Sequence, residues 1–88
     1  MAHPFFSHLE AARSSKGATF SLLDLLLELK HIGQQAIDTP EERKGVSDAV
    51  MAFYDKYLSP LVPDFLRDRT RTFVLDSVNA ALVAAAGA

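Results

Sequence analysis

Eighty-eight residues, 49% apolar and 23% charged, suffice for one domain with a single core and are too hydrophobic for a disordered chain. A formal net charge of −2 sets up no field that would draw the protein to phosphate backbones or anionic lipid. The absence of cysteine removes disulfides, thiolate nucleophiles and cysteine metal sites, and is met most simply in a cytoplasmic protein.

Pro4 suits a first helical position, and Phe5, Phe6, Leu9 and Ala12 follow at helical spacing until Ser14, Ser15, Lys16 and Gly17 interrupt them. This predicts a short first helix closed by a glycine. Thr19 or Ser21 then caps a second helix with apolar residues Leu22, Leu23, Leu25, Leu26, Leu27, Leu29, Ile32, Ala36 and Ile37, apolar almost all round. Its polar residues, Asp24, Glu28, His31, Gln35 and Asp38, recur every three or four positions and stack in one narrow stripe, the strip expected to face water. The acidic breaks at Asp24 and Glu28 also argue against a signal peptide or a membrane span.

Thr39, Pro40, Glu41 and Glu42 form the strongest boundary in the chain: a cap residue, a proline at the first helical position and two acids against the positive end of the helix dipole. The third helix turns Val46, Val50, Phe53, Tyr54 and Tyr57 to one side and Lys44, Asp48 and Asp55 to the other. Gly45 weakens its first turns by roughly 1 kcal/mol relative to alanine. Pro60 and Pro63 predict a corner over 58–63. A last helix starts near Asp64, with Leu66, Thr70, Phe73, Val74, Ser77, Ala81 and Ala84 on its main face and a second apolar line of Leu75, Val78 and Leu82 beside it. The final Ala-Ala-Gly-Ala is expected to fray. The whole predicts an all-α fold over residues 1–88, a small antiparallel bundle of three long helices plus a short N-terminal one.

Chemistry-bearing patterns are sparse. Glu28-Leu-Lys-His31 has the Glu-x-x-His spacing that puts two metal ligands on one helical face. There is no second copy, and Asp24, Glu28, His31 and His8 are read as a solvated polar edge, with no metal or cofactor expected. Ser7 beside His8, and the Ser14–Ser15 pair, lack any sign of the orienting acid and oxyanion hole that nucleophilic catalysis needs. Phe53, Tyr54 and Tyr57 are read as core aromatics with hydroxyls at the boundary. Arg67, Arg69 and Arg71 form the one basic cluster, interleaved with Asp64 and Asp68 at spacings that suit ion pairs within the helix.

Surplus apolar surface is the more informative feature. Leu23 and Leu27 on the second helix, with Leu75, Val78 and Leu82 on the last, exceed what one small bundle needs to bury, and such surplus marks a protein interface. The expectation is a non-catalytic interaction or assembly module, self-associating as a dimer or higher homo-oligomer through these five residues. The alternative is a small nucleic-acid-associated regulator using Arg67, Arg69 and Arg71.

Overall fold

His3 and Pro4 start the chain's first helix as local chemistry requires: the His3 Nδ1 accepts a hydrogen bond from the Phe5 amide at 3.0 Å, and Pro4 takes a position whose N–H would be unpaired anyway. In the computed structural model, which describes residues 3–34 and 39–87, helix α1 spans Pro4–Lys16. Gly17 ends it at φ 68° with its N–H on the Arg13 carbonyl, a left-handed conformation for which glycine carries no Cβ penalty. A single 3-10 turn, Gly17–Thr19, leads to α2, Leu22–Glu28. There Asp24 reaches back to accept hydrogen bonds from the Ser21 backbone N–H at 2.8 Å and from the Ser21 hydroxyl at 3.0 Å.

α3 spans Pro40–Phe53 and opens as its sequence predicts, with Thr39 Oγ1 accepting from the Glu42 amide at 3.1 Å and Pro40 at the first position. It is prolonged by a π turn, Tyr54–Leu58. The proline corner resolves into two 3-10 turns, Ser59–Leu61 and Asp64–Leu66, before α4, Arg67–Gly87. α4 runs on as helix to Gly87, through positions where the sequence predicts fraying. Among the described residues there are four α-helices and no strand, so the fold is all-α.

The lengths differ from expectation. The first helix is 13 residues and the second only 7, the reverse of a short first helix before three long ones. Beyond Glu28 the chain tightens into a 3-10 segment, Leu29–Gln34, and the expected continuation through 35–38 lies outside the described residues. The physical reason is packing: this segment seats on α4, and three residues per turn eclipses positions i and i+3. Leu29 and Ile32 are thereby both buried on one line.

The buried side chains form one cluster, with Phe5 and Leu9 from α1, Phe20, Leu25, Val46, Val50, Phe53 and Tyr54, and Val74, Val78 and Leu82 from α4. Phe53 is its hub, edge-on to Phe6 and Phe20. α1 packs on α3, and α3 on α4. Gly45, costly for helix propensity, has a tertiary purpose: a Cβ there would stand 2.8 Å from the His3 ring, the same ring that caps α1.

Candidate functional site

Rotation of α2 about its own axis decides which of its many leucines meet water. Leu25 and Leu29 point into the core and Leu22 and Leu26 lie half-buried beside them. Leu23 and Leu27, one turn apart, are 64% and 54% exposed. The polar stripe takes the opposite role from the one expected. Asp24, Glu28 and His31 are half-buried, because α1 covers this side of α2 with polar groups of its own. Lys16 Nζ donates to Asp24 at 2.7 Å, and His8 Nε2 lies 3.0 Å from Glu28 Oε2.

The five residues expected at an interface therefore separate. Leu23 and Leu27 are on the surface, whereas Leu75 is packed against the core and Val78 and Leu82, at 0% and 6% exposed, belong to it. The correction follows from α4's orientation. Val74, Val78 and Leu82 repeat at intervals of four and form its inward ridge, while Leu66 and Phe73, expected on the main face, are exposed. Leu61 and Phe65 of the proline corner, the latter 82% exposed, join them at the surface. A sequence signal for these two existed: large apolar residues in a turn, where polar ones are the rule.

Leu22 borders two surface depressions. It lines an apolar groove with Phe73, Thr70 and Arg69 of α4, and also a cleft of about 350 Å³ with Phe20, Tyr54, Leu58, Leu61 and Val62. Leu23 and Leu27 follow one position, about 100°, further round the helix from Leu22 and Leu26. The Tyr54 hydroxyl in that region is buried and has no hydrogen-bond partner among the described residues. Its pKa is raised by burial first and by the neighbouring Asp55 charge second. Tyr57, by contrast, donates to Glu10 at 2.6 Å and lies under the Arg13 guanidinium.

The arginine cluster is largely absorbed by the fold. Arg67 donates through Nε to the Ser59 carbonyl at 3.2 Å and through Nη2 to the Val62 carbonyl at 2.9 Å, and pairs with Asp64 at 2.6 Å. It ties down the corner that the two prolines create, where carbonyls lack helical partners. Arg71 makes a two-pronged contact with Asp55 of the α3 extension, at 3.2 and 3.4 Å. Arg69 remains at the edge of the apolar groove.

The remaining constellation is one that the sequence reading gave to solvent. His8 of α1 and Glu28 and His31 of the second helical segment converge, with Nε2 of both histidines on the same carboxylate oxygen, at 3.0 and 3.2 Å. The His8 and His31 rings meet edge-on at 5.1 Å between centroids, and Phe5 stacks on His8 at 5.4 Å. Asp24 is no part of this group, being held by Ser21 and Lys16. No helix among the described residues is long and apolar enough to cross a membrane. No family model, curated protein or solved structure matches the chain.

Proposed function

We propose that the chain is a non-catalytic helical assembly module, acting in the cytoplasm, that pairs with a second copy of itself through the outer face of α2 and the neighbouring α4 groove. The observation that carries this is the exposure of Leu23 and Leu27 on the helix whose Leu22 lines a groove with Phe73. Apolar side chains scattered singly over a surface are ordinary, but a connected patch costs water-exposed area that association removes. A second copy is the favoured occupant on charge grounds. A net charge of −2 repels a twin only weakly, and the leucines of α2 bring no charge into a twofold contact, in which each patch must complement itself. Nucleic acid is the weaker alternative, since Arg67 and Arg71 are already held by backbone carbonyls and by Asp55, leaving Arg69 to supply a phosphate contact.

The test is the solution mass by light scattering over a concentration series, for the native chain and for Leu27→Lys and Leu23→Lys. The expected outcome is a native dimer or higher oligomer that either lysine shifts towards monomer, with circular dichroism unchanged because both positions are on the surface. A native chain that is monomeric at every concentration, or an oligomer that both lysines leave intact, overturns the proposal.

A further inference from the structure

We propose that His8, Glu28 and His31 form a binding site for a zinc-class divalent cation. Their donor atoms, one from each side chain, all lie within 4.8 Å of one another. In a tetrahedral zinc site, ligand atoms about 2.0–2.2 Å from the ion stand about 3.3–3.6 Å apart. The two histidine-to-carboxylate separations, 3.0 and 3.2 Å, open to that spacing with shifts of a few tenths of an ångström.

Local structure explains the convergence. Glu28 is the last residue of α2 and His31 sits in the 3-10 segment that follows; the tightened turn superposes positions i and i+3, which places the carboxylate and the imidazole on one line. His8 comes from α1, its ring steadied by the stacked Phe5. Two imidazoles and one carboxylate are the donor chemistry that zinc, cobalt and nickel take in preference to magnesium or calcium, which favour all-oxygen sites. The three side chains are half-buried, so solvent reaches the fourth position while the protein holds the other three. Bound there, the ion also links α1 to the second helical segment, which makes it a staple between two parts of the native fold.

Without an ion the same atoms face one another, the Nε2 of each histidine lying against one Glu28 oxygen. The two states are distinguishable, because a ligating Nε2 carries no proton and each ring then keeps its proton on Nδ1. The experiment titrates Zn²⁺ into the full chain by calorimetry near neutral pH, and Co²⁺ by visible absorption. The expected result is one ion per chain, Co²⁺ bands of four-coordinate intensity and a Zn²⁺-dependent rise in the melting temperature. His8→Ala and His31→Ala should each weaken binding by at least about tenfold. His3→Ala and Asp24→Asn serve as controls that leave it unchanged, and retained helicity shows that every variant folds. Absence of saturable binding, a Co²⁺ spectrum that stays that of the hydrated ion, or equal loss on His3→Ala overturns the site. Since Glu28 faces about 100° round the helix from Leu27, this result is independent of the assembly proposal.

Discussion

Tyr54 shows how a single side chain departs from what spacing predicts. Its ring does what an aromatic residue at a core position should, at 0% exposure, yet its hydroxyl is carried into the interior without a partner among the described residues. A buried hydroxyl that has given up water and gained nothing costs on the order of 1–3 kcal/mol. Tyr54→Phe is therefore expected to raise stability by about 1 kcal/mol, measured by denaturant unfolding; a loss of stability would mean that the hydroxyl is paired in solution. Tyr57, three residues on, has the opposite fate, its hydroxyl reaching Glu10 and its ring lying under Arg13. Such assignments depend on angstrom-scale placement, and the sequence interval between the two tyrosines contains no trace of them.

At the scale of elements, helix boundaries are local, and those at Pro4, Gly17 and Thr39 were legible, the His3 cap not. Thr39 with Pro40, His3 with Pro4 and Gly17 all act on backbone groups within a few positions of themselves. The start of α2 is local too, but its anchor is Asp24, whose carboxyl is held below the ordinary value of 3.8, first by the Lys16 ammonium and then by the Ser21 amide. A carboxyl whose folded pKa is depressed stabilises the fold fully above its unfolded pKa and loses that contribution as pH falls through the folded one. Melting temperature should thus decline as the solution is acidified below about pH 4, and Asp24→Asn should lack that part of the decline. Parallel pH profiles for the two proteins would show that Asp24 has no part in acid stability. The length of α2 was not legible, because its change to a 3-10 segment answers to α4, on which Leu29 and Ile32 seat.

For the whole molecule the deciding variable is how each helix is rolled about its axis. α2 and α4 both have more apolar positions than one face needs, and their sequences admit more than one inward ridge. Packing selects Leu25 on α2 with Leu29 just beyond its end, and Val74, Val78 and Leu82 on α4. Leu82 and Leu27, which the sequence assigns alike to an interface, should then respond differently. Leu82→Ala opens a cavity and is expected to cost about 2–3 kcal/mol, whereas Leu27→Ala in dilute solution should cost under about 0.5 kcal/mol. Equal costs in urea unfolding would refute the orientation of α4.

Sequence by itself determined the all-α class, the Thr39–Pro40 start of α3, the glycine terminus of α1 and the proline corner, since each rests on periodicity or on groups adjacent along the chain. It also carried the surplus of apolar residues and the Glu28–His31 spacing, without their destinations. Only the tertiary structure decided that Leu23 and Leu27 stay outside while Val78 and Leu82 go in, that Arg67 turns onto the Ser59 and Val62 carbonyls, and that His8 joins Glu28 across 20 positions. The physical reason is common to all three. Hydrogen bonds within a helix are indifferent to its rotation, so the face it buries is set by the helices packed against it.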